Sequence, residues 1–114
     1  MVEEEHIEEK DMPKVRVIKM KTEKEIRPWG WASCFAKTDT YTGKILFITQ
    51  GEKAELKGSI CCIEGRANVT IKKDKSTDIL LLTPSYYYEL DVVSEVEAKE
   101  NTLLVLIEDT RNEN

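Results

Sequence analysis

The chain has 114 residues and a formal net charge of −5, enough for one domain around a single core. The charge is uneven: residues 1–12 hold Glu3, Glu4, Glu5, Glu8, Glu9 and Asp11 against Lys10, while the rest is balanced. An acidic tail on a neutral body argues against a nucleic-acid backbone as partner, which needs clustered Lys and Arg. In chain order, residues 1–13 read as a flexible acidic tail ending at Pro13 and containing His6, the chain's single histidine. Val15–Met20 is the first strand candidate, and Lys21–Glu25 reads as a polar connection. In Ile26-Arg27-Pro28-Trp29-Gly30-Trp31, Pro and Gly set a turn between two large aromatics. Ala32–Lys37 and Lys44–Thr49 read as strands about a turn at Thr38–Gly43.

Next come a Gly51-Glu52 turn, the apolar strand Ile60-Cys61-Cys62-Ile63, and a second turn at Glu64-Gly65-Arg66. Ala67–Lys73 alternates Val69 and Ile71 with Thr70 and Lys72, the period of a half-buried strand. Asp74–Thr77 is a polar hairpin connection. Asp78–Thr83 is apolar on both faces, which predicts a buried strand, and Pro84 ends it. Ser85–Val93 reads as strand, Ser94–Asn101 as charged loop, and Thr102–Glu108 as a final buried strand. No segment sustains a helical period. Short strands at close spacing predict an all-β barrel or sandwich over residues 14–110, with residues 111–114 a polar end.

The cysteines are Cys34, Cys61 and Cys62. Adjacent strand residues face opposite ways, so Cys61 and Cys62 are poor partners for one another, and buried thiols in a reducing compartment are expected. There is no Cys-x-x-Cys pair to support a zinc ribbon or thioredoxin-like chemistry. With no apolar leader and no segment of bilayer-spanning length, a soluble cytoplasmic protein without a membrane partner is expected.

The order of these signals resembles the cupin superfamily. Arg27-Pro28-Trp29-Gly30 is similar to the entry of the cupin domain in type II mannose-6-phosphate isomerases. The Gly51-Glu52 turn, the Ile60–Ile63 strand, the Glu64-Gly65 turn, the proline-ended Ile79–Pro84 and the apolar Leu103–Ile107 follow in that family's order. The resemblance covers about residues 26–109 and implies a small jelly-roll β-barrel. In the family the interval after the Gly-Glu turn carries a His-x-His pair and a glutamate that hold a divalent metal. Here that interval is short by about six residues, and a metal needs three or four ligands at fixed positions. Gly58 and Ser59 fall where ligands belong, and the second motif's histidine falls on Glu89. The expectation is a metal-free barrel with no cofactor. Moving a proton between sugar carbons requires a base and stabilisation of the enediolate, and neither a metal nor a barrel histidine is present to supply them.

Other residues bear sharper readings beside plainer ones. Trp29 and Trp31 offer faces for a sugar or a base, but a Trp beside a Pro-Gly turn more often plugs the end of a barrel. Alternation sends Tyr86 and Tyr88 one way and Tyr87 and Glu89 the other, so one set should fill the cavity where a metal would sit. Tyr87 or Tyr88 with Glu89 would form the acid/base couple of a metal-independent sugar-phosphate isomerase or epimerase; space-filling is the plainer reading. Arg66 is a candidate ligand for a sugar phosphate, whereas the lysines of the hairpin tip read as edge protection.

The expected function is a non-catalytic binding or interaction module. It is expected to be homodimeric through Val15–Met20, a strand apolar on both faces, as related cupins commonly dimerise through N-terminal strands. The isomerase is the alternative, and a single-strand nucleic-acid binder on a Trp/Tyr face a third, disfavoured by charge.

Overall fold

The structure, a computed structural model, describes residues 23–109. The acidic tail, the Val15–Met20 strand and the polar end at residues 111–114 lie outside the described residues. Eight strands follow one another: β1 (Lys24–Arg27), β2 (Gly30–Lys37), β3 (Tyr41–Ile48), β4 (Lys53–Glu64), β5 (Ala67–Lys72), β6 (Thr77–Leu82), β7 (Tyr87–Ala98) and β8 (Thr102–Asp109). All pair antiparallel, in one sheet of order β1-β2-β3-β8-β4-β7-β5-β6. Among the described residues no helix is long and apolar enough to cross a membrane.

The two 12-residue strands make this sheet a barrel. Lys53–Leu56 of β4 pair with β7 only, whereas Ser59, Ile60 and Cys61 pair with β7 and also with β8. The register breaks between Leu56 and Gly58, and such an irregularity bends a strand and strengthens its twist. The sheet therefore doubles over, and the even-numbered residues of β4 line the inside throughout: Ala54, Leu56, Ile60 and Cys62 are all buried. Facing them are Leu46 and Ile48 of β3, Leu104 and Leu106 of β8, Val69 of β5 and Val96 of β7. Removing a Leu or Ile side chain of this kind from water contributes about 1.5–3 kcal/mol, so this layer dominates stability.

Several sequence expectations need correction. The connection at Lys21–Glu25 is already strand from Lys24, because its residues pair with Ala32 and Ser33 of β2. The turn at Thr38–Gly43 shrinks to Thr38–Thr40: the Thr38 hydroxyl accepts from the backbone N–H of Thr40 (3.2 Å) and of Tyr41 (3.1 Å), which replaces ladder bonds and lets β3 start at Tyr41. The segment Ser94–Asn101 is strand as far as Ala98, since Ser94, Val96 and Ala98 point inward while Glu95 and Glu97 point out. The Asp78–Thr83 segment is not enclosed. It is the edge strand β6, where only Leu82 is buried and Ile79 and Leu81 are 64% and 45% exposed.

Candidate functional site

The resemblance places the ligands of a metal on β4 and β7, which pair with each other from Gly58 to Cys61, where β4 also meets β8. Here the inward wall of β4 reads Leu56, Gly58, Ile60, Cys62, and that of β7 reads Tyr88 and Leu90. β8 adds Leu104 and Leu106. The wall is aliphatic, and Ile60, Leu46, Ile48 and Leu104 are essentially without exposure. Gly58 has φ +129°, and a Cβ there would lie 2.5 Å from the Ile107 carbonyl oxygen. The backbones of β4 and β8 meet so closely that no ligand-bearing side chain fits. Ser59 faces outward, paired with Ile107 and Glu89. No three His, Cys, Asp or Glu residues are grouped to hold a cation among the described residues. The donor set does not fit a metal.

The tyrosine triplet splits across the wall. Tyr88 points inward and packs against the core, and its hydroxyl donates a 2.6 Å hydrogen bond to the Leu81 carbonyl of β6. Burial, with a smaller contribution from the neighbouring Tyr86 phenol, pushes the Tyr88 phenol above its ordinary pKa. It is a tether between strands that holds its proton. Tyr86 is 46% exposed and meets Tyr88 edge-on, with centroids 6.2 Å apart. The expectation that one tyrosine set fills the cavity is thus corrected: aliphatic side chains fill it, and Tyr88 closes its border. Tyr87 and Glu89 share the outer face, where the Tyr87 hydroxyl donates to Glu89 at 3.1 Å in open solvent. The candidate acid/base couple therefore stands outside the barrel, with Tyr88 on the other side of the wall.

Two consequences follow for substitution. Tyr88→Phe is expected to cost about 0.5–1.5 kcal/mol, the net worth of one hydrogen bond. Tyr87→Phe should stay within about 0.5 kcal/mol, as surface changes do. Urea denaturation of the two variants measures both, and equal effects would contradict the placement.

The tryptophans also divide. Trp29 packs against the core at the end of the barrel. Trp31 lies on the outer face, stacked on Phe47 (5.9 Å, 12°) with the Lys24 ammonium 4.3 Å from its ring centroid. Arg66 is held by its turn. Its carbonyl accepts from the N–H groups of Lys99 and Glu100, and the Thr102 hydroxyl lies 3.0 Å away. Its guanidinium is 3.7 Å from Glu100 in an exposed pair. A polar recess at one barrel mouth, lined by Glu25, Cys34, Thr42, Lys44 and Glu108, was not legible in the sequence, because it gathers residues of four strands. There Lys44 pairs with Glu108 at 3.3 Å.

Comparison with known proteins reaches the fold. No family model matches the chain, and no curated protein matches it. Solved structures do. A single-residue mutant of Bacillus subtilis oxalate decarboxylase superposes with a TM-score of 0.69 at 19% identity, covering 89% of this chain and 31% of that one. A two-residue deletion mutant of the same enzyme gives 0.69, 19%, 89% and 32%. The chain thus spans about a third of the enzyme's length. Work on that enzyme describes Mn(II) centres. The likeness carries no evidence for the isomerase resemblance. What it establishes, together with the doubled eight-stranded sheet, is that this chain has the jelly-roll fold of the cupin superfamily.

Proposed function

We propose that this protein is a non-catalytic, metal-free cupin-type binding or interaction module, homodimeric, cytoplasmic and of mannose-6-phosphate-isomerase-like descent. The filled interior carries the reading. Where cupin enzymes hold a metal, this chain has Leu56, Ile60, Leu90, Leu104 and Leu106 packed together. A glycine whose Cβ would strike the next strand stands at the waist. A barrel packed in this way offers its outer surface for recognition. The Val15–Met20 strand is the proposed contribution to the dimer from the N-terminal side.

Elemental analysis after purification from metal-supplemented medium is the test. The expected result is no stoichiometric Zn, Mn or Fe, and no change in melting temperature with a chelator. About one metal per chain, lost together with stability, would overturn the reading. The metal-independent isomerase has one observation in its favour, the Tyr87–Glu89 hydrogen bond. Its position in open solvent provides no water-excluded site for an enediolate.

A further inference from the structure

The two halves of the sheet present very different outer faces. On the β4–β7–β5 half the outward residues include Lys53, Glu55, Glu95 and Glu97, with a Lys53–Glu95 pair at 3.5 Å and a Lys99–Glu97 pair at 3.7 Å. That surface is charged across its centre, with Ile79 and Leu81 exposed along its β6 edge. On the β2–β3–β8–β4 half the register sets up apolar rows instead. One row runs Ile26, Trp31, Phe47, Leu103. The next runs Ser33, Ile45, Val105, Cys61, Tyr87. A third joins Gly43, with the Phe35 ring lying over it, to Ile107 and Ser59. Phe35, Ile63 and Tyr87 at its margins are 43%, 46% and 58% exposed. Every described strand belongs to this one sheet, whose other half packs on the inner side, so no described element covers the face.

We infer that this face is the surface on which a second copy of the chain docks, an inference that rests on the homodimeric reading above. Size is the first argument. Five strands about 4.8 Å apart and six residues of about 3.3 Å give a footprint of about 24 by 20 Å. That flat footprint, about 480 Å², falls within the roughly 300–600 Å² of the largest apolar patch on a typical monomer, a patch that is often functional.

Charge is the second argument. A two-fold contact sets a patch against itself, so a charged patch would repel its copy. This one is uncharged along its middle row, with Lys24 at the β1 rim, Glu89 at the β7 rim and Glu64 closing the first row beside Leu103. An axis along the strands brings each Lys24 rim opposite the other copy's Glu89 rim, with sheets packed about 10 Å apart. Continuity is the third: the chain carrying Val15–Met20 enters β1 at the same rim.

Sedimentation at micromolar concentration tests this on the full chain, on Val105→Lys, on Glu55→Lys and on a chain lacking residues 1–20. Alkylation of Cys61 is followed by peptide mapping alongside. The expected result is a full-length dimer with Cys61 protected, unchanged by Glu55→Lys. Val105→Lys should weaken self-association at least about a hundredfold, since it buries an unpaired charge, and expose Cys61 at unchanged circular dichroism. A full-length monomer would overturn the homodimeric reading itself. A dimer that survives Val105→Lys, or that reads Cys61 as freely reactive, would overturn the face while leaving the dimer standing. Dissociation by the deletion alone would assign the contact to Val15–Met20, again against the face. The Cys61 readout on the unaltered chain decides if Val105→Lys does not fold.

Discussion

Replacing Gly58 with alanine is expected to lower the unfolding free energy by about 3–5 kcal/mol, the sum of a disfavoured backbone conformation and overpacking. In a domain of this size that is a fall in melting temperature of about 12 °C or more. The residue has φ +129°, and an added Cβ would sit 2.5 Å from the Ile107 oxygen, 3.3 Å from its carbonyl carbon and 3.3 Å from Leu106 Cδ1. Two of those three atoms are backbone of a strand paired on its far side with β3, so neither can yield cheaply. Histidine there should fare no better, so a metal ligand cannot be restored at this position by one substitution. Thermal melts of Gly58→Ala decide it. A loss below about 1 kcal/mol would mean that the break between Leu56 and Gly58 relaxes freely and that the waist is not tightly closed.

The second large effect is expected at Ile60. Its side chain is wholly buried, and its register partners are Leu106 of β8 and Tyr88 of β7. Ile60→Ala removes three carbons from a wall whose neighbours are fixed in two separate strands. The space cannot collapse well, and a cost of about 2–5 kcal/mol is expected, towards the upper part of that range. Ile60→Val should cost only about 0.5–1.5 kcal/mol. Urea unfolding of both variants gives the comparison. Near-neutral behaviour of Ile60→Ala would show an interior with room to spare, and would return weight to a ligand-holding barrel.

Where the two-residue period was clean, or an apolar run was bounded by polar residues, strands were legible almost to the residue. Ala67–Lys73 became β5 at Ala67–Lys72, and Thr102–Glu108 became β8 at Thr102–Asp109. The same period was present in Ser94-Glu95-Val96-Glu97-Ala98, but its charged outward set disguised it as loop. The split of the tyrosine triplet was legible as an alternation, while which set pointed inward was not. That choice depends on the phase of β7 against β4, where Ile60 pairs with Tyr88 and Cys61 with Tyr87. The likeness of Asp78–Thr83 and Thr102–Glu108 misled in the opposite direction. Both runs are apolar on both faces, yet one is the edge strand β6 and the other lies between β3 and β4.

The sequence by itself determined the all-β class, the turns at Gly51-Glu52 and Glu64-Gly65-Arg66, and the absence of histidine from residues 26–109, because these depend on residue type and local spacing. Tertiary structure alone decided that the barrel is packed with aliphatic side chains, that Tyr88 tethers β6 while Tyr87 and Glu89 face solvent, and that Ile45, Val105 and Cys61 share an outer row. These residues lie 16 to 60 positions apart, and their meeting is set by strand order and register. An apolar residue declares that it favours burial; only the neighbouring strands determine whether its own core or another surface provides it.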